Sequence, residues 1–458
     1  MKNTLTISCV FAFVFFMILP AYAIEHQLGG FVRVRAFTAG DWSANDNDPG
    51  GNRSRVDSRS HLAYTAKINE DLTVYTELRM DSVFGGGRTT VEGVDENEIS
   101  YGGSGISGVS EAWLKLKHSY IDFKINETNF LVGKQSFYEA RGLLLYDAAP
   151  GIRIKCPVSD QLTIDAKWIK FGEGGQGGNA HQDVDTFAIT PEIKLNDNIK
   201  IKPYFWYTTS RGMNNGEKTW NWWCSDINKF TDLDMYYLGF DFDASMGNTS
   251  IWFTTLYQAG SANVAEDNAQ IWNGSGSVDF SGIVALGGGS LNLGKITLSG
   301  QLFYASGDDP NENDDKIEQF FSAEAGYYYW SEIMGLGSND DAVPNNIGWS
   351  LSNIMGGGGT LSFCATDDIS LNFGLWYAAA VEDFQKSPDD APAYIVEADD
   401  YGTELNASMS YSLMENLSLS LIGAYVMAGD AMTEENVDGS NIEGADPYFV
   451  QAQIKASF

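Results

Sequence analysis

The chain has little of what ordinary soluble domains and helical membrane proteins rely on. Proline is scarce, 11 in 458 residues, so strand interiors are seldom interrupted. Cysteine is scarcer still. Cys9 lies near the start, and Cys156, Cys224 and Cys364 are far apart and odd in number. No disulfide framework follows from that spacing, although one pair among the three stays open. The four histidines, His26, His61, His118 and His181, have no serine elbow or His/Cys spacing around them. No nucleophilic or metal-dependent enzyme is therefore expected. The glycine runs Gly85–Gly87 and Gly356–Gly359 are not followed by the Lys-Ser/Thr of a phosphate-binding loop. Bases are outnumbered 28 to 61, and the net charge of −33 argues against a nucleic-acid partner. Beyond the first 23 residues there is no uncharged apolar run of about eighteen residues, which excludes helical membrane spans.

The first residues read as an export signal, residues 1–23. Lys2 gives a short positive start, Val10 to Leu19 is an apolar run, and Ala21-Tyr22-Ala23 is a small-x-small cleavage pattern. Residues 24–458 then form a single domain. What this domain has in abundance is glycine (49), aromatic residues (26 Phe, 22 Tyr, 12 Trp) and period-two alternation. Leu28, Val32 and Val34 alternate with Phe31, Arg33 and Arg35. Leu62, Tyr64 and Ala66 alternate with His61, Ala63 and Thr65. Leu405, Ala407 and Met409 alternate with Glu404, Asn406 and Ser408. Segments of this kind are about ten residues long, as membrane β-strands require.

Short turns fall near Asn69, Asn126, Ser159, Asp197, Gly247, Gly294, Asp367 and Glu415. Longer Gly- and Asp-rich connections run over 38–54, 82–108, 135–149, 172–183, 210–231, 260–276, 306–344, 382–399 and 429–445. Eight hairpins with an unpaired first and last strand predict an all-β, transmembrane antiparallel β-barrel of 18 strands, with 16 as the alternative. Short turns would lie on the periplasmic side and long acidic loops outside. In lipid every backbone N–H and C=O must be paired, and only closure removes the sheet edges. The alternation does not fix strand bounds at 277–293 and 345–364, and 317–330 has the pattern of a further strand.

The last strand alternates Tyr448, Val450, Ala452, Ile454, Ala456 and Phe458 against Gln451, Gln453, Lys455 and Ser457. Tyr448, Ile454 and Phe458 look like the aromatic-ended terminal signature that the barrel-assembly machinery reads. The acids gather in the long loops and the bases on polar strand faces of the first half. A Lys or Arg facing lipid at mid-depth would cost about 2–4 kcal/mol, so Arg33, Arg35, Arg55, Arg59 and Arg79 are assigned to the lumen. Lys115, Lys117, Arg153 and Lys155 are assigned there on the same ground. Two readings follow. Either these bases form a wall that attracts anions, or they balance Asp57, Glu77, Asp81, Asp165 and Glu192 across strands.

In the third long connection, Gly142-Leu143-Leu144-Leu145-Tyr146 is an apolar run that needs cover. The barrel interior offers it, which makes Glu139, Arg141 and Asp147 candidates for a constriction; packing on another loop or subunit is the alternative. The acidic loop holding Asp308, Asp309, Asp314 and Asp315 supplies hard oxygens for Ca²⁺ without the spacing of an EF-hand loop. Solvated loop charge is the plainer reading.

Several segments, in order, resemble the large porin and alginate-export-type outer-membrane channels. They are the Arg-bearing strand Phe31 to Phe37, the Arg-rich hairpin Arg53 to Arg79, Glu111-Ala112-Trp113-Leu114, Val132-Gly133-Lys134-Gln135, Gly151-Ile152-Arg153, and the hairpin Asn406 to Leu421 with Glu415-Asn416-Leu417. The resemblance implies a bacterial outer-membrane location, lipid and lipopolysaccharide as surroundings, and a water-filled channel for small hydrophilic solutes. It implies a homotrimer for general porins and a monomer for the alginate type. An organic-anion or polysaccharide channel and an adhesin or structural barrel are the competing functions, separated by whether the protein conducts ions.

Overall fold

The computed structural model describes residues 24–41, 53–85, 114–172, 183–211, 230–264, 276–309, 315–322, 327–335, 337, 351–386, 394–396, 400–432 and 445–458. Residues 1–23, expected to be an export signal, and Cys224, Glu111-Ala112-Trp113 and Asp314 lie outside them.

In chain order the strands of the first half are β1 (Glu25–Gly40), β2 (Arg53–Asn69), β3 (Leu72–Val83), β4 (Leu114–Ile125), β5 (Thr128–Glu139), β6 (Leu145–Ser159), β7 (Leu162–Gly172), β8 (Val184–Asn196) and β9 (Ile199–Arg211). The second half has β10 (Phe230–Met246), β11 (Thr249–Val264), β12 (Ser277–Asn292), β13 (Ile296–Ala305), β14 (Lys316–Ile317), β15 (Ile354–Cys364), β16 (Ile369–Ala379), β17 (Phe384–Lys386), β18 (Tyr394–Val396), β19 (Asp400–Met414), β20 (Leu417–Ala428) and β21 (Tyr448–Ser457). Eighteen of these pair antiparallel with their neighbours, and β1 pairs with β21 from Phe31↔Ser457 to Gly40↔Tyr448. The barrel is therefore closed. Three pieces stand outside it. β14 runs parallel to β12 above the end of β13, and β17 and β18 form a small hairpin of their own.

Each of the eight short turns falls where the sequence places it. Side-chain oxygens of Asn69, Asn196 and Asn292 accept the N–H two residues on, at 2.9 Å each, the local bond that makes Asn a turn residue. Asn126 and Asn416 take positive φ, 54° and 65°. Side chains alternate as the energetics demand. Leu28, Leu62, Leu302, Leu375 and Val450 are exposed on the outer face, and their sequence neighbours face inward. Leu302, the most exposed at 72 %, gives a direct test. Leu302→Arg is expected to destabilise the folded barrel by about 2–4 kcal/mol, seen as a lower midpoint in urea titration in lipid vesicles. Ser299→Arg, on the inner face of the same strand, should cost far less.

Alternation is weak in the third quarter of the chain for a physical reason. Parts of β10 to β13 and β16 carry large apolar residues on the inner face as well as the outer. Inward-facing Tyr237, Leu256, Val284, Leu286, Phe303 and Trp376 are buried, because a segment of chain covers the inner wall there. Of 317–330, only Ile317 is strand among the described residues.

Candidate functional site

The site is built on two features: charges on the inner face of β1–β3, and two segments that leave the wall for the interior. On β1–β3 two carboxylates gather five guanidiniums. Arg35 donates from Nε to both oxygens of Asp57 at 2.9 and 3.0 Å. Arg55 donates to the same group at 3.2 Å, and Arg33 approaches it at 3.6 Å. Arg59 and Arg79 each reach Asp81 at 2.6 Å. Glu77, next on β3, accepts from Tyr75 and His118 at 2.8 Å and also bonds His61.

Directly opposed residues across these strands are often both basic: Arg33↔Arg59, Arg33↔Lys455 and Arg79↔Lys115. Like charges facing each other weaken a sheet, and the directly opposed pairs Arg35↔Asp57 and Arg59↔Asp81 offset only part of that. Lys455, on the polar face of the last strand, joins these bases through its place opposite Arg33. Its Nζ lies 4.3 Å from the ring centroid of Phe31.

The nine sequence-assigned bases do not form one continuous wall. Arg33, Arg35, Arg55, Arg59 and Arg79 cluster, and Lys115 extends them. Lys117 instead donates to Asp147 at 2.5 Å. Arg153 belongs to a second, buried network, and Lys155 lies opposite Asp165 and Asn129 in register.

That second network holds down the third connection. The expectation of a loop over 135–149 needs correction. β5 continues to Glu139 and β6 begins at Leu145, so the two strands stay paired almost to the tip. What changes is their neighbours. β4 pairs with β5 only up to Ser119↔Lys134, and β7 pairs with β6 only up to Gly151↔Ile169. Above those points the hairpin leaves the wall and lies over the inner face of β7–β11.

Its buried face carries Gln135, Phe137 and Glu139. The Glu139 carboxylate accepts from Lys202 at 2.8 Å and lies 3.2 Å from Lys167 and 3.8 Å from Arg153. Asp165 completes the group, 2.6 Å from Arg153 and 3.0 Å from Lys167. At the tip, Ala140, Arg141 and Gly142 all take positive φ, 51°, 56° and 95°. Two of these are not glycine, a costly run that the surroundings must enforce. They do. The Ala140 N–H donates to the Tyr204 hydroxyl, which donates to Asp241 at 2.6 Å. Arg141 donates to Asp243 at 2.6 Å and Thr254 at 2.9 Å, with its guanidinium 4.5 Å from the Trp252 ring centroid. Gly142 meets the Tyr327 carbonyl so closely that a Cβ there would sit 2.3 Å from the oxygen.

The second inward segment, described over 318–322, 327–335 and 337, is not foretold by the alternation. It runs along the inner wall from β11 to β19. The Phe321 N–H donates to Gln258 at 2.6 Å, Tyr328 donates to Gln301 at 2.7 Å, and Trp330 packs between Phe303 and Trp376. It ends on the buried carboxylate of Glu404, which accepts the N–H groups of Glu332, Ile333 and Met334 at 2.8, 3.0 and 2.9 Å. Glu404→Ala is expected to weaken this anchorage by about 2–4 kcal/mol, since bonds to a charged acceptor are the stronger kind. The check is protease cleavage within 327–337, faster in the variant while the barrel itself stays resistant.

Among the described residues no group of three or more His, Cys, Asp or Glu is arranged to hold a metal. Asp308 caps the Glu318 N–H at 2.7 Å, and the Asp315 carbonyl accepts from Asp279. Cys156 and Cys364 are free thiols.

A closed 18-strand barrel with an apolar outer face, a charged inner wall and inward segments has the architecture of outer-membrane channels. Solved structures of that architecture match over nearly the whole chain. OccK8 (OprE) of Pseudomonas aeruginosa aligns with TM-score 0.56 and 9% identity over 95% of this chain and 98% of its own. The outer membrane protein OpdK of the same organism gives 0.54 and 8% over 95% and 98%. OccK2 (OpdF) of that organism, solved with glucuronate, gives 0.53 and 10% over 94% and 98%. At such identities the likeness is one of fold. No protein-family profile matches the sequence, and no curated protein does.

Proposed function

We propose that this chain is an outer-membrane porin whose water-filled path carries small hydrophilic solutes with a preference for anions. The observation that carries the reading is the cluster on β1–β3, where five guanidiniums share Asp57 and Asp81 and further bases stand directly opposite. The hairpin and the second inward segment cover the inner wall from β7 to β19. Those two segments do not line the inner face of β1–β3, where Arg35 and Asp57 are buried and the side chains of Arg33, Arg55, Arg59 and Arg79 stay partly exposed. A solute crossing there meets positive potential in a confined, low-dielectric surround, which concentrates anions.

Narrowing by two anchored segments also favours a second reading, a channel selective for particular organic anions rather than a general pore; a matched structure holds glucuronate. Tyr448, Ile454 and Phe458 stand on the outer face, which suits their proposed recognition by the assembly machinery.

The test is ion conduction in a planar bilayer under a KCl gradient. Discrete steps with a reversal potential of the sign for chloride preference support the proposal. A cation-directed potential removes the anion preference, and no conductance at all returns the protein to the adhesin or structural class.

A further inference from the structure

The two inward segments turn tyrosines toward the lumen. On the β5–β6 hairpin, the face of Gln135, Phe137 and Glu139 lies on the wall, so the opposite face, with Tyr138 and Tyr146, points into the open space. Along the second segment the alternation is the same. Tyr328 and Trp330 are buried toward the wall while Tyr329 is turned away. Tyr138, Tyr146 and Tyr329 remain 56 %, 41 % and 43 % exposed. The three rings touch. Tyr138 and Tyr146 meet edge-on at 5.0 Å between centroids, and Tyr146 and Tyr329 at 5.9 Å, with interplanar angles of 74° and 87°.

We propose that these three tyrosines form a ring-binding subsite that takes solutes bearing a flat aromatic ring, whatever their charge. Successive perpendicular rings make a corner, offering one face to stack upon and one edge to meet the solute's face. Both are favourable aromatic geometries. A buried tyrosine core would give the same contacts with little exposure. Here three large aromatic surfaces stay uncovered inside a charged lumen, where leaving them to water brings no stability. Their chemistry differs from that of the guanidinium cluster, so the subsite selects on ring shape and the cluster on charge. The inference rests on the channel reading above only in requiring an open lumen.

The test is block of single-channel current by a neutral aromatic probe, adenosine, against a neutral aliphatic of comparable polarity, sorbitol. Adenosine should produce resolved blocking events and sorbitol none. Tyr138→Leu and Tyr329→Leu should each weaken block by roughly fivefold, while Tyr→Phe at the same positions retains it, because the ring and not the hydroxyl binds. Reversal potential should stay unchanged in all four variants, so loss of anion preference and loss of ring binding are read separately. Absence of adenosine block in the conducting parent, or block equally strong in the leucine variants, overturns the proposal.

Discussion

Replacing Arg59 and Arg79 together by alanine is expected to abolish the anion preference and turn it toward cations. The two guanidiniums share Asp81, each at 2.6 Å, so their removal deletes two positive charges and leaves that carboxylate uncompensated. A unit charge about 6 Å from a permeating anion in water contributes roughly 0.7 kcal/mol. Two therefore amount to about 1.4 kcal/mol, or roughly a tenfold change in local anion concentration. The shift should be largest at low ionic strength. It should fade near 1 M salt, where the screening length falls to about 3 Å. The double lysine variant keeps the charge and should keep the selectivity, which separates an electrostatic effect from disturbed folding. If the alanine pair leaves the reversal potential where it was, the β1–β3 bases only balance neighbouring acids.

Glu139→Ala should have the second large effect. This carboxylate is fully buried among Lys167, Lys202 and Arg153. Removing one member of a buried charged network typically costs about 3–5 kcal/mol, because its partners are left without a counter-charge. Here the cost falls on the seating of the hairpin more than on the barrel, since β5 and β6 below Lys134 and Gly151 keep their wall partners. The hairpin should detach. Conductance should become larger and noisier, and buried Lys167 would regain water. A stronger version replaces residues 136–148 by a two-residue Asn-Gly turn. Taking away a slab about 10 Å thick should raise the conductance roughly twofold or more. Unchanged conductance in the shortened protein would mean that the hairpin does not narrow the conducting path.

Much of this architecture is legible in sequence because it is written in short-range chemistry. The turn at Asn69-Glu70-Asp71 announces itself through an Asn that bonds the chain two residues on. The alternation of Arg33 and Arg35 with Val32 and Val34 fixes a face by the cost of a guanidinium in lipid. The apolar tip of the third connection demands cover inside the barrel, and the structure places that hairpin against the inner wall. Its strand pairing is not foreseeable, since Ser136 to Glu139 is no more strand-like than loop-like by pattern. The second inward segment is harder. Tyr327-Tyr328-Tyr329-Trp330 and Ile333-Met334 present the same sign, an apolar run within a polar connection. It sits beside an Asp-rich stretch that draws the eye to charge. Glu404, its anchor, reads as one polar residue among many on an alternating strand. Only the fold shows that three backbone N–H groups converge there. The same cause blurs β12, whose inner face carries Phe280, Val284 and Leu286 under that segment, while the inner face of β15 blurs through its glycines Gly356 and Gly358.

The most direct test of the central claim, that adjacent residues of β2 face water and hydrocarbon in alternation beside an open lumen, is thiol labelling of His61→Cys and Leu62→Cys. Each would be made with Cys156, Cys224 and Cys364 replaced by serine and reconstituted in lipid vesicles. A charged, membrane-impermeant reagent should modify the cysteine at 61 quickly and shift the channel current, while the cysteine at 62 stays unmodified. Rapid modification at 62, or protection at 61 with no change in current, would contradict the account.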